Sequence, residues 1–342
     1  MNQSRHTRSP DNGKITKQGY PEPPLSAVFT GHMKYPSRFV MLALANSAAR
    51  SDPQIPKDKN RIMKEFRLVQ VSDIHLGAGQ EHHLDNWTKV IEWITREKPD
   101  LVVANGDLIM SDPDNDNDHA FASEQIAKLP VPFRCLPGNH DIGDNIVSGH
   151  MPKRIDDARR ARFIKHFGTE RWAFDAAGWG FVGINAQLLG SQGQVAEADQ
   201  WEWLEQTLAG WQGRPVALFM HKPVFLDHPT EPDYDDPWTR QSCIDSVSRT
   251  RLLALCKRFG VRVISTGHKH QTRTFSFEGI YYLWAPATAC VNSAPTMLHW
   301  GTREVGFFDL RFRPDGRFDH RLIGPDFLFR HENYIRKHQA VK

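Results

Sequence analysis

Apolar positions along the chain follow two rhythms. Over residues 66–72 they alternate and then run together (Phe66, Leu68, Val69, Val71), which predicts a buried strand. Leu84, Trp87, Val90, Ile91 and Ile94 then recur at helical spacing, so an amphipathic helix is expected over 83–98, ended by Pro99-Asp100. Residues 101–104 and 131–136 form two more short apolar runs, with a helix expected between them over 120–129. This order implies parallel strands joined by right-handed crossovers, with functional residues gathered at the carboxyl ends of the strands.

The second half keeps the same rhythm. A helix rich in Arg is expected over 156–167, and residues 172–174 and 180–185 read as a hairpin pair. Trp201, Leu204 and Leu208 share one face of a helix over 197–209, and a strand follows over 216–220. A helix over 248–259 leads to a strand over 261–265. Residues 275–277, 280–284, 305–312 and 318–322 make a β-rich finish. Two sheets, each covered by helices, give an α/β fold, a four-layer α-β-β-α sandwich of two mixed sheets. Residues 63–330 form one domain, and 331–342 a tail. Residues 1–62 carry Pro10, Pro21, Pro23, Pro24, Pro36, Pro53 and Pro56 among Ser, Asn, Lys and Arg, and read as a loosely ordered extension. Met63 opens the first strand directly and is a candidate start.

Charge and cysteine narrow the class. The net charge of +3 hides an asymmetry: residues 1–65 hold 11 Lys+Arg against 5 Asp+Glu, leaving 32 against 35 in the remainder. A mildly acidic body argues against a nucleic-acid polymer as partner. Cys135, Cys243, Cys256 and Cys290 make no paired spacing, so a reducing, cytoplasmic setting is expected. No apolar run reaches the roughly 18 residues that a membrane span needs. Residues 39–45 follow Lys34 and Arg38, and a short secretory signal opening at Met33 is the weaker reading.

The chemistry sits where the apolar runs end. Leu136-Pro137-Gly138-Asn139-His140-Asp141 reads as a loop that holds an amide oxygen, an imidazole and a carboxylate without a gap. Asp73-Ile74-His75, Gly106-Asp107, His221 and Gly267-His268-Lys269-His270 end other runs in the same way. Asp73 and His75 are two apart and can point to one side, as can His268 and His270. Asp107 has two oxygens and can bridge two ions. Imidazole with carboxylate and amide oxygen suits zinc, iron or manganese, and the absence of thiolates argues against a structural zinc.

In order the chain reads D-x-H, G-D, G-N-H-D, H and G-H-x-H, and from about Phe66 to about Arg321 it resembles the calcineurin-like metallophosphoesterases. The resemblance implies two divalent or trivalent transition-metal ions (Fe, Mn or Zn). It implies that Asp73, His75 and His270 bind the first, that Asn139, His221 and His268 bind the second, and that Asp107 bridges them. It also implies that His140 is no ligand but acts on the substrate as general acid, with Asp141 a candidate to orient it. Two ions roughly 3.5–4 Å apart would hold a bridging hydroxide that attacks phosphorus in line.

The expected substrate is a small phosphate ester, best a phosphodiester such as a cyclic nucleotide. The alternatives are a phosphomonoesterase, a protein serine/threonine phosphatase, or a binding module that keeps its metals. Classical phosphoprotein phosphatases carry G-D-x-x-D-R-G, but here Met110 and Ser111 replace the second Asp and the Arg. Gly138-Asn139-His140-Asp141-Ile142-Gly143 and Asn185-Ala186-Gln187 resemble single-domain members, some of them described as protein phosphatases.

Secondary features have plainer readings. His82 and His83 read as exposed helix-start residues. Asp112, Asp114, Asp116 and Asp118 lack the Gly and the distal Glu of a calcium loop and read as a solvated loop. Trp201 and Trp203 read as core, and Arg159, Arg160 and Arg162 as a solvated helix face. The acidic, proline-containing segment 227–238 is a candidate lid or an irregular surface loop.

Overall fold

The computed structural model describes residues 64–110, 112–146, 153–191, 194–292 and 299–333. The expected extension over 1–62 lies outside the described residues, as does the part of the expected 331–342 tail beyond 333, whereas Glu332–Asn333 of that tail pair as a strand with Val291–Asn292. The first half runs β1 (Phe66–Val71), α1 (Glu81–Glu97), β2 (Leu101–Asn105), α2 (Asp116–Ile126), β3 (Phe133–Leu136), a one-turn α3 (Asn139–Ile142) and α4 (Asp157–Phe167). A hairpin of β4 (Trp172–Ala176) and β5 (Trp179–Gly183) follows, then α5 (Val195–Gly210), β6 (Val216–Phe219), a short α6 (Pro237–Arg240), α7 (Ser246–Phe259) and β7 (Val261–Thr266). The chain ends with β8 (Arg273–Phe277), β9 (Ile280–Trp284), β10 (Val291–Asn292), β11 (Phe307–Phe312), β12 (Phe318–Ile323) and β13 (Glu332–Asn333).

The strands make a five-stranded sheet, β12-β11-β1-β2-β3, and a six-stranded sheet, β4-β5-β6-β7-β9-β8. A small parallel pair, β10-β13, stands apart. Both large sheets are mixed. β1, β2 and β3 pair in parallel while β11 joins β1 antiparallel. In the second sheet β5, β6, β7 and β9 are parallel, with β4 and β8 antiparallel at the edges.

Side-chain alternation sets the layers, because successive residues of a strand face opposite sides. In β1, Leu68 points into a core shared by the two sheets, and Val69 and Val71 point toward the helices. β2 repeats this, with Leu101 and Val103 in the shared core and Val102 and Ala104 under the helices. From the other side, Ala217, Phe219 and Val263 enter the shared core, while Val216, Leu218 and Ile264 meet α5 and α7. Trp87, Val90 and Ile94 of α1 close the first outer layer, and Leu204, Leu208, Leu252 and Phe259 close the second. The result is the four-layer sandwich expected from the sequence. Burial on both faces is why these strands read as continuous apolar runs.

Polar side chains fasten the two sheets beneath the loops at one end. Gln70 Nε2 donates to the Thr266 carbonyl at 3.2 Å. Asn105 Nδ2 donates to the carbonyls of Met220 (3.1 Å) and Ser265 (3.2 Å). These bonds cross between β1–β2 and β6–β7 at their carboxyl ends, directly beneath the loops that follow.

Some local readings need correction. Asp116 and Asp118 belong to the first turn of α2 rather than to a solvated loop. The Asn115 side chain accepts from the N–H groups of Asn117 and Asp118, and acidic residues suit a helix N-terminus. Arg159 and Arg160 are not merely solvated. Arg159 pairs with Asp114 at 2.9 Å and Arg160 with Glu170, while Arg162 donates to the Pro113 carbonyl at 2.7 Å. The loop at 139–142 closes into a helical turn. Trp201 is buried as core and Trp203 is partly buried against it. All four cysteines are free and buried, and no helix among the described residues is long and apolar enough to cross a membrane.

Candidate metal centre

Five of the eight non-glycine residues with positive φ among the described residues are Asp73 (52°), His75 (45°), Asp107 (53°), His268 (70°) and His270 (50°). For an L-residue the left-handed region costs roughly 1–2 kcal/mol. Such strain persists only where the surroundings over-determine it. All five sit just past the carboxyl ends of β1, β2 and β7, so each strand delivers its polar side chains through a sharp backbone reversal. Gly106 has φ +87°, and a Cβ there would lie 2.2 Å from His221 Nδ1. A Cβ on Gly267 would lie 1.8 Å from Ser72 Oγ. Glycine at these points lets the β2 and β7 loops close on their neighbours.

The donors form two groups that share one face. In the first, Asp73 Oδ1 lies 3.3 Å from His270 Nε2 and 3.9 Å from His75 Nε2, and the two imidazole nitrogens are 3.1 Å apart. In the second, Asp107 Oδ2 lies 3.3 Å from His221 Nε2, with His268 beside it. Asp107 Oδ2 is also 3.9 Å from His75 Nε2, so this oxygen stands between the groups. Asn139 Oδ1, Asp73 Oδ1, His221 Nε2 and His268 Nδ1 are buried without any hydrogen-bond partner.

The ring nitrogens turned away from the site fix the tautomers. His75 Nδ1 faces the Ile109 carbonyl at 3.2 Å, His221 Nδ1 faces Asn105 at 2.9 Å, and His270 Nδ1 faces Cys290 at 3.1 Å. A carbonyl only accepts, so each Nδ1 carries the proton and each neutral ring presents a bare Nε2 inward. Bare nitrogens 3.1 Å apart, beside two buried carboxylates, need a positive charge between them. Backbone carbonyls behind the rings are the usual orienting shell of metal-ligating imidazoles. Asp73, His75, Asp107, Asn139, His221, His268 and His270 therefore fit as a donor set for two hard or borderline cations.

Without an ion, protons on the imidazoles supply part of that charge. Burial disfavours the charged imidazole of His221, but the Asp107 carboxylate outweighs it and raises the pKa to about 9. His270 is likewise raised, against burial, by Asp73. Asp107 stays well below the usual carboxylate range despite burial, held down chiefly by His221 and His140.

His140 and Asp141 part company. The His140 backbone N–H donates to Asp107 Oδ1 at 2.9 Å, and its ring Nδ1 faces the Met110 carbonyl at 2.8 Å. The ring meets His75 edge-on with centroids 4.8 Å apart, and a ring nitrogen lies within reach of the His75–Asp107 group. Asp141 does not orient it. Its Oδ1 accepts from Leu108 N (2.9 Å) and Ile109 N (3.0 Å), and its Oδ2 accepts from Gly138 N (2.8 Å). Asp141 thus ties the β2 loop to the β3 loop. Burial and the nearby Asp107 push its carboxyl up to about 7, against the pull of those donors. Asp141→Asn leaves one of the three N–H groups without an acceptor. It should cost about 1–3 kcal/mol in a thermal or denaturant melt while the dependence of rate on leaving group is unchanged. A changed leaving-group dependence with an unchanged melt would return Asp141 to a part in proton transfer.

Two other expectations change. His83 is buried, and its Nδ1 faces the His75 carbonyl at 2.8 Å, so it supports a donor from behind, whereas His82 stacks on Phe329 at 4.8 Å. No local signal in the sequence marks His83, because its partner lies across the α1 N-terminus. The 227–238 segment is a fastened loop. Glu231 accepts from the N–H groups of Leu226, Asp227 and His228 and receives Tyr234 and the buried Arg249.

Comparison with known proteins gives this geometry a setting. The family model described as calcineurin-like phosphoesterase matches residues 66–272. A 3',5'-cyclic adenosine monophosphate phosphodiesterase of Escherichia coli K12, CpdA, is 28% identical over 275 residues, 76% of this chain and 91% of that protein. Serine/threonine-protein phosphatase CPPED1 of Danio rerio is 25% identical over 257 residues, 66% of this chain and 76% of that protein. The crystal structure of a dimetal phosphatase from Danio rerio superposes with a TM-score of 0.53 at 14% identity, covering 76% of this chain and 96% of that one, a likeness of fold.

Proposed function

The chain belongs to the calcineurin-like phosphoesterase family, a family of metal-dependent phosphoric ester hydrolases, and we propose that it hydrolyses a small phosphodiester such as a cyclic nucleotide at a two-metal centre. The observation that carries this reading is the convergence of bare donor atoms. Asp73 Oδ1, His75 Nε2 and His270 Nε2 would hold one ion. Asn139 Oδ1, His221 Nε2 and His268 Nδ1 would hold the other, and Asp107 would be shared. Such ions, when bound, contribute Lewis-acid activation of the phosphoryl group and of the attacking water.

The remaining steps fall to the chain. His140 stands at the rim of this group with its backbone fixed by Asp107 and its Nδ1–H fixed by Met110. Its other nitrogen is then the one that can carry a proton to a leaving alkoxide, and imidazolium also offsets negative charge that grows there. Asp141 keeps the loops of His140 and Asp107 in register through backbone N–H groups. Asn105 holds His221 from behind and bonds to the β6 and β7 ends at once, which sets the distance between the sheets at the site.

The diester reading rests on the relative named a cyclic adenosine monophosphate phosphodiesterase, which matches over 76% of this chain. A protein-phosphatase reading is favoured by the Danio rerio relative of that name. The two separate when manganese-loaded protein is given bis(p-nitrophenyl) phosphate, cyclic AMP, p-nitrophenyl phosphate and a phosphoserine peptide side by side. kcat/KM for the diesters should exceed that for the monoesters by at least about tenfold, a barrier difference of about 1.4 kcal/mol. A faster phosphopeptide would give the site to the phosphatase class.

A further inference from the structure

Next to the donors lies a buried ion pair that the chemistry above does not use. Lys222 follows His221 directly, and its side chain is fully buried. Its Nζ lies 2.5 Å from Asp144 Oδ1 and 2.9 Å from Asn145 Oδ1. Asp144 is equally buried, and it sits four residues after His140 and five after Asn139. The same segment is pinned elsewhere too. Asp144 Oδ1 also accepts from Ile146 N at 3.0 Å, the Asp144 backbone bonds to Lys153 and Ile155, and Asn145 Nδ2 donates to the Leu189 carbonyl at 2.6 Å. Asp144 Oδ2 remains without a partner in the interior.

A pair of this kind is a poor way to gain stability. Taking two charges out of water costs several kcal/mol per ion, and apolar residues of similar size often serve as well or better. What the pair supplies is a distance. It joins the segment that carries Asn139 and His140, at the end of the five-stranded sheet, to the end of β6, which carries His221. Asn139 and His221 are donors of the same proposed ion, and they come from different sheets.

We propose that Lys222 and Asp144 are a positioning pair that holds Asn139 and His221 at the spacing the second ion requires. This rests on the two-ion reading above. The pair touches neither substrate nor ion. It acts through the backbone of residues 139–145 on one side and of 221–222 on the other. Among the described residues, Asp73, His75 and His270 of the first group make no direct hydrogen bond to the pair.

The test is Mn²⁺ binding by metal-stripped full-length protein in equilibrium dialysis, with a thermal melt of each variant. In Lys222→Met/Asp144→Leu the desolvation cost of two charges is removed while Ile146 N and Asn145 Oδ1 each lose a partner, so the Tm should stay near that of wild type. The first Mn²⁺ should bind as in wild type, and the second should weaken about 10- to 100-fold, the usual cost of losing outer support of a metal site. Asp144→Asn keeps shape and the Ile146 contact but not the charge, and should shift the second ion in the same direction. Wild-type affinity for both ions in either variant overturns the proposal, as does equal weakening of both ions, which marks a general structural role. A double variant that fails to fold leaves the decision with Asp144→Asn. Wild type that takes up fewer than two Mn²⁺ overturns the two-ion reading itself, and the pair's role with it.

Discussion

Replacing His140 with alanine is expected to lower turnover by roughly 10²–10⁴-fold, the usual range for losing a positioned acid, while metal content stays at the wild-type level. The separation is possible because the His140 side chain and backbone do different work. Its N–H group supports Asp107 Oδ1 and survives the substitution, whereas the ring, held by the Met110 carbonyl, is lost. The loss should depend on the ester. Nitrophenolate departs with little need of a proton, so the variant should retain more activity on a nitrophenyl ester than on cyclic AMP, whose leaving group is a ribose hydroxyl. Equal losses on both esters, or loss of an ion together with the ring, would make His140 a ligand or a structural residue instead. The geometry leaves the ligand reading a definite form, because His75, Asp107 and His140 also bring three candidate donor atoms together.

Asp107→Ala should have the larger consequence, removing both ions and all activity above background. Among the described residues its Oδ2 is the carboxylate oxygen close to imidazoles of both groups, 3.3 Å from His221 and 3.9 Å from His75. Asp107→Asn refines the point. The amide can keep an oxygen for the His140 N–H group but places an NH₂ where the shared oxygen stood. It should fold as wild type and still fail to hold the pair of ions. Elemental analysis of the two variants beside wild type, which should carry about two ions per chain, decides the matter. A variant that keeps one ion at full affinity and works at a comparable rate would show that Asp107 serves only one group.

Most of the architecture was legible because strands buried on both faces read as apolar runs, and helices as recurring apolar stripes. The segments β1, β2, β6 and β7 needed nothing else. The donors were legible as polar residues placed where those runs stop. What escaped was whatever depends on a partner far along the chain. The acidic stretch before α2 reads as a loop until Asn115 caps it. Asp141 looks like the natural partner of its neighbour His140, yet its oxygens face Leu108, Ile109 and Gly138. His83 looks exposed at a helix start and instead lies buried behind His75. Nothing in the sequence marks Lys222, whose part shows only in its packing against Asp144. Hydropathy has no means of recording a side chain chosen for a contact 78 residues away.

The division of donors between the sheets has a consequence for how the chain matures. Asp73, His75, Asp107 and Asn139 arrive with the five-stranded sheet, and His221, His268 and His270 with the six-stranded one. The two groups proposed to hold the ions, Asp73–His75–His270 and Asp107–His221–His268, each mix the two sheets, so neither sheet alone carries a complete set. A nascent chain with only its first half released from the ribosome holds part of each set, with His75, Asp107 and His140 as its candidate trio, and cannot yet form either group. Capture must wait until residues almost 200 apart in sequence, such as His75 and His270, have met. Uptake of metal during refolding should therefore trail the burial of the shared core, and it can serve as a late clock for assembly that fluorescence from any one tryptophan cannot provide.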